Sequence, residues 1–306
     1  MTFNSCICST DNTPPVISSV SASDITYSGA IITWITDEYS TSEVEYGTTA
    51  GYGSTSSPDR LRTKSHAVEL TGLNPDTTYY YRVISKDSSG NKTLSAGKSF
   101  HTKIEEAYNL EYEWDFRDKT WNHSTEIRES DYDYFAGKPR AGDYDEYVLN
   151  TSDDAWMRQL AGLFVEQAKE EGWDETYYVP FALSFVQSLP YTDDDVTTGY
   201  DEYPRYPLET IKDEGGDCED TSILFASIVR EMDFGVALLL LKEDGHMAAG
   251  VQISQSFIDN WDKAYPCTYY EKDGKMYAYC ETTSKGWEIG EMPRDLSGDD
   301  VIIYVF

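Results

Sequence analysis

Cys218 stands among carboxylates in Gly215-Gly216-Asp217-Cys218-Glu219-Asp220, directly ahead of an apolar run from Thr221 to Met232 that has the composition of a helix. A thiol at a helix N-terminus meets unpaired backbone N–H groups and the positive end of the helix dipole, both of which favour negative charge. Downstream, Gly245-His246-Met247 opens an apolar stretch reaching Val251, which reads as a buried strand with an imidazole at its start. A thiolate with a histidine partner is the minimum equipment for acyl transfer. The expectation from these residues is a cysteine acyltransferase, with peptidase as its first form. Acids beside a thiol oppose its ionisation, so Asp217, Glu219 and Asp220 read as serving either a metal or a structural hydrogen-bond network. The plainer alternative is a small buried cysteine and a satisfied structural histidine.

The elements that would position these groups follow from periodicity. Ala155 to Glu171 carries apolar residues at Trp156, Leu160, Leu163, Phe164 and Ala168, one face of a helix, with Thr151-Ser152-Asp153-Asp154 supplying its start. Val179 to Leu189 is a second apolar helix closed by Pro190, and the run after Cys218 is a third. Strand-like runs follow at Val236–Leu241, His246–Ile253, 267–280, Trp287–Ile289 and Val301–Val305. Helices first and an antiparallel sheet afterwards predict an α+β domain over residues 104–306. Residues 14–103 differ in texture, with short alternating runs separated by turn residues, the pattern of an all-β sandwich. Residues 1–13 form a polar N-terminal tail holding Cys6 and Cys8. The stretch 104–149 is rich in Tyr, Trp and Asp, and its pattern leaves open whether it covers the cleft or joins the sheet.

The chain has 306 residues, 40% of them apolar and 14% aromatic, enough for two packed cores. Its 24 Lys+Arg against 55 Asp+Glu give a formal charge of −31, which repels nucleic acid and anionic membrane surfaces. No run approaches the roughly 20 apolar residues that span a bilayer, so membrane insertion is not expected. The N-terminus lacks the charged and apolar regions of a signal peptide; either the chain is cytosolic or a leader has been removed.

The cysteines bear on that choice. Asp273-Gly274 is a hairpin signal, and if it turns the chain, Lys272 faces Lys275 and Cys267 faces Cys280 on a non-hydrogen-bonded rung. That spacing suits a disulfide, which would place the protein outside the cytoplasm. Sequons at Asn91, Asn122 and Asn150 fit an extracellular or cell-surface setting.

Leu73-Asn74-Pro75-Asp76-Thr77-Thr78-Tyr79-Tyr80-Tyr81-Arg82-Val83 resembles the tyrosine-corner segment of fibronectin type III domains, and Ile31-Ile32-Thr33-Trp34 their second strand. The resemblance covers nearly all of residues 14–102 and implies a spacer or docking module without chemistry of its own. In the second part, Tyr206-Pro207-Leu208-Glu209-Thr210, then Gly216-Asp217-Cys218-Glu219-Asp220, then Gly245-His246-Met247 and Glu281-Thr282-Thr283, together resemble the transglutaminase-like, papain-related cysteine proteinases of bacteria and archaea. That resemblance implies Cys218 as nucleophile, His246 as general base and acid, and Glu281 as the third, orienting acid, where most relatives carry Asp. It implies Gln187 as an oxyanion donor, beside the backbone N–H of Cys218. It suggests calcium at Asp217 and Asp220, with no cofactor required for the chemistry itself.

The expected protein is therefore a secreted or surface thiol hydrolase acting on a protein or peptide substrate, with cell-surface or cell-wall association. Transglutaminase-type cross-linking and a non-catalytic adhesion or assembly module are the alternatives.

Overall fold

The computed structural model describes residues 11–140, 142–193 and 203–306, so Cys6 and Cys8 lie outside the described residues. The chain divides into two units at Glu106/Ala107.

The first unit is an antiparallel β-sandwich of seven strands: β1 (Ile17–Ser23), β2 (Ala30–Gly47), β3 (Ser54–Thr55), β4 (Asp59–Leu70), β5 (Thr78–Lys86), β6 (Lys92–Leu94) and β7 (Lys98–His101). The 18-residue β2 serves both layers. Its first half pairs with β1 and β4, and its second half with β3 and β5. Alternation of buried and outward residues along β2 puts Ile32, Trp34 and Val44 into a core shared with Tyr81 and Val83. The Trp34 indole is anchored at both ends, its Nε1–H donating to Ser85 Oγ at 2.9 Å and its ring stacking on His66 at 4.7 Å. Tyr79 Oη accepts from Asn74 N at 2.9 Å, the hydrogen bond that defines a tyrosine corner.

The second unit begins with a separate two-stranded hairpin, β8 (Ala107–Phe116) and β9 (Lys119–Arg128). Its turn residues Arg117 and Asp118 both take positive φ, as a two-residue turn matched to strand twist requires. The stretch left open by its composition is thus a hairpin of its own, followed by α1 (Glu129–Ala136) and α2 (Asp145–Val148). Trp114 and Trp121 of the hairpin pack on α3 (Asp154–Glu170) and α4 (Tyr178–Val186) through Phe164, Phe181 and Phe185. After α5 (Pro207–Lys212), α6 (Cys218–Glu231) runs through the middle of this core with every residue from Asp220 to Val229 buried. The remaining strands are β10 (Val236–Leu241), β11 (His246–Ile253), β12 (Tyr269–Lys272), β13 (Lys275–Cys280) and β14 (Val301–Val305), with the short α7 (Gln255–Asp259) between β11 and β12. They form an antiparallel sheet in the order β12-β13-β11-β10-β14, with α6 packed against β11 and β10.

Two expectations are corrected here. The Asp273-Gly274 turn forms with Lys272 facing Lys275, as its chemistry demands, but Cys267 and Cys280 are free thiols. The ladder of β12 starts at Tyr269, and the segment before it turns toward Gly290, whose carbonyl accepts from Thr268 N at 2.8 Å. Cys267 Sγ rests against Gly290, while Cys280 is buried in the sheet core, so the bridge and the oxidising compartment inferred from it lose their basis. Trp287–Ile289 is loop rather than strand, because Gly290 bends the chain back (φ +90°) to donate to Tyr279 O.

Candidate functional site

Cys218 is the first residue of α6, and the local sequence leaves it little freedom. Asp217 is the N-cap, its carboxylate accepting from the N–H groups of Glu219 and Asp220. Asp220 completes a capping box by accepting from Asp217 N. Before the cap, Gly215 and Gly216 thread beside Pro190–Thr192. A Cβ at Gly215 would fall 2.5 Å from Pro190 O, and one at Gly216 the same distance from Asp220 Cβ. Only glycine fits at either position.

His246 opens β11, immediately after Gly245 (φ +59°), and β11 packs on α6. Met247 N lies 3.5 Å from Cys218 Sγ and donates to it, while Ser222 Oγ donates to Met247 O at 3.3 Å, so strand start and helix start are tied together. His246 Nε2 is 3.1 Å from Glu281 Oε2. Cys218 stands near enough to the imidazole to help hold it charged. Glu281 follows the last residue of β13, which pairs with β11. Its carboxylate is fully engaged: Tyr279 Oη donates to Oε2 at 2.8 Å, and Thr283 N and Oγ1 donate to Oε1 at 3.0 and 2.6 Å. Tyr279, and the part Thr283 plays, escape sequence reading, although their spacing of two residues either side of Glu281 on a strand end is the signal that could have found them.

The charges follow from this geometry. Burial opposes the charging of His246, but the influence of Cys218 and Glu281 outweighs it and lifts its pKa to about 10. Burial likewise opposes the Glu281 carboxylate, yet the bond to His246 and those from Thr283 bring it down to about 2. Both describe one interaction, an imidazolium–carboxylate pair whose side chains are 16% and 3% exposed.

Three sequence-predicted residues do other work. Gln187 is not an oxyanion donor: its Nε2 donates to the carbonyls of Glu281 and Trp287 at 2.8 and 2.9 Å, so both N–H bonds are committed. Asp217 and Asp220 do not form a calcium site. The Asp217 carboxylate caps the helix, and buried Asp220 pairs with the buried Arg205 guanidinium while accepting from Arg205 N at 2.7 Å. A cation there would face an arginine, and two carboxylates fall short of the six oxygens calcium needs.

Residues 15–102 match the family model described as the purple acid phosphatase N-terminal domain. Among solved structures, the human fibronectin type III domain containing protein 3 contributes a fibronectin type III domain that is 21% identical, covering 31% of this chain and 93% of that one (TM-score 0.26). The sensor domain of the anti-sigma factor RsgI4 of Pseudobacteroides cellulosolvens is 18% identical over 31% of this chain and 99% of its own (TM-score 0.24). PhoD is 16% identical over 29% of this chain and 21% of its own (TM-score 0.24). No curated protein matches.

The family match corrects the sequence reading. The family it names is a phosphatase's, not that of transglutaminase-like cysteine proteinases, and it overturns that resemblance. The cysteine peptidase and transglutaminase activities drawn from it fall with it.

Proposed function

We propose that this chain is a hydrolase of the phosphoester class, with the sandwich as a non-catalytic module and Cys218 of the second unit as the reacting group. The class is supported by the match of residues 15–102 to a phosphatase N-terminal domain. The site is supported by a single observation: the His246 imidazole bonded to Glu281 at the start of β11, which Met247 N ties to Cys218 Sγ at the start of α6. The thiolate is the form in which cysteine is a nucleophile.

In this reading the Cys218 thiolate attacks phosphorus, forming an S–P bond as the ester oxygen departs with the proton of His246. The neutral imidazole then takes a proton from water, which breaks the S–P bond and frees the thiolate. Glu281 holds the ring and stabilises its charged form throughout. The N-terminus of α6 lies beside the developing negative charge.

Enzymes of this class commonly use metals, so the match lends no support to chemistry without a cofactor. Among the described residues, one group of three carboxylates, Asp11, Glu38 and Asp87, is close enough to share an ion, and it lies in the sandwich. Asn91 Nδ2 already donates to Asp87 Oδ2 and to Asp11 O. No step is assigned to that group. An extracellular or surface location and the exclusion of nucleic acid belong to the proposal, resting on the sequons and on the charge of −31.

The test is release of nitrophenolate from p-nitrophenyl phosphate by the full chain. The parent should turn over, and Cys218→Ala or His246→Ala should lose about 10²-fold or more. Turnover unchanged in Cys218→Ala would remove the thiol from the reaction; no turnover by the folded parent would remove the phosphoester.

A further inference from the structure

The second unit contains an open cleft of about 1050 Å³ that neither Cys218, His246 nor Glu281 lines. We infer that this cleft binds a neutral saccharide. The inference goes beyond the proposed hydrolysis and does not depend on it.

The walls come from four segments distant in sequence: the β8–β9 turn, α4 with the residues just before and after it, the α7 region and the loop after Glu281. Their aromatic residues are Phe116, Tyr177, Phe257, Trp261 and Trp287. The indole N–H groups are satisfied locally, Trp261 Nε1 on Tyr265 O at 2.6 Å and Trp287 Nε1 on Ser284 Oγ at 3.0 Å. What those two rings offer the cleft is therefore apolar surface rather than a donor. Polar groups stand between the rings, among them Ser184, Ser256 and Asn260.

Charge decides the class of ligand. The lining holds three bases, Arg117, Lys263 and Lys285, and three acids, Asp115, Asp262 and Glu288. Lys263 and Glu288 pair with each other at 2.8 Å, and Arg117 lies over the Tyr177 ring at 4.3 Å. A lining with three bases and three acids gives no net attraction to a phosphate-bearing ligand. Ser184 Oγ donates to Phe181 O and Asn260 Nδ2 to Ser256 O, both at 2.7 Å, so what these groups offer a ligand is acceptor oxygens, which a sugar hydroxyl uses and a purely apolar ligand does not. A sugar chain matches both features, with C–H faces for the rings and hydroxyls for the polar groups between them. The volume lies just above the roughly 300–1,000 Å³ of ligand pockets, room for several sugar units.

Isothermal titration of the full chain with hexamers of β-1,4-linked glucose, xylose and N-acetylglucosamine tests this. Saturable binding of at least one is expected, weakened about tenfold by Trp261→Ala or Trp287→Ala. Trp261→Phe and Trp287→Phe, which keep a ring, should retain binding, and circular dichroism should show every variant folded. Cys218→Ala should bind as the parent does. No binding of any hexamer, binding that survives both alanine variants, or uptake of an apolar dye with no saccharide bound would overturn the inference.

Discussion

His246 Nε2 lies 3.1 Å from Glu281 Oε2, and the two side chains titrate in opposite directions because each holds the other charged. The folded pKa of His246 rises from 6.5 to about 10, so its contribution to stability is whole below 6.5 and is lost as pH climbs through 10. Glu281 falls from 4.5 to about 2, so its contribution is whole above 4.5 and is lost as pH drops through 2. Between pH 4.5 and 6.5 the pair is fully charged in the fold. Glu281→Gln should therefore cost about 3 kcal/mol near pH 6, with the deficit shrinking toward pH 10, as followed by denaturant unfolding. The imidazole pKa of His246, read by NMR, should fall by about a unit or more in that variant. A deficit that does not change with pH would refute the pairing.

Gln187, at the end of α4, braces the loop that follows β13. It is 5% exposed, and its amide donates to the carbonyls of Glu281 and Trp287, 94 and 100 residues further along the chain. Gln187→Ala leaves two carbonyls unpaired and should cost about 2–3 kcal/mol. Gln187→Glu should be worse at pH 7 than at pH 4, since a carboxylate facing two carbonyls must be protonated to donate. Equal stability of the Glu variant at both pH values would show that the side chain does not sit between those carbonyls.

Asp153 is a charge in the wrong place. Burial, reinforced by Asp154, raises its pKa from 3.8 to about 7, and its Oδ2 has no hydrogen-bond partner. The raised value means that its contribution is whole below pH 3.8 and lost as pH rises through 7. Asp153→Asn should stabilise the fold by about 1–3 kcal/mol at pH 8 and leave it nearly unchanged below pH 4. Destabilisation at pH 8 would mean that the carboxylate has a partner and works as a cap.

Much of this layout is legible in the residues. The Gly-Gly before Cys218 marks a crowded turn, Asp273-Gly274 sets its hairpin, and β10 and β11 begin and end where their apolar runs do. The failures have physical reasons. Register arithmetic placed Cys267 opposite Cys280 but could not show that Gly290 pulls the chain out of the ladder two residues earlier. Asp220 looked like a metal ligand because its partner Arg205 lies 15 residues away in sequence and pairs with it only in the folded core. Gln187 looked like an oxyanion donor because sequence gives the side chain but not the carbonyls it meets.

The most direct measurement is alkylation of the folded chain by iodoacetamide at pH 6, with each cysteine located by peptide mapping. Cys218 should react first, Cys280 in the sheet core should stay unmodified, and His246→Ala should slow Cys218 by about tenfold or more. Labelling of Cys218 that is no faster than that of Cys267, or that is indifferent to His246, would contradict the nucleophilic site.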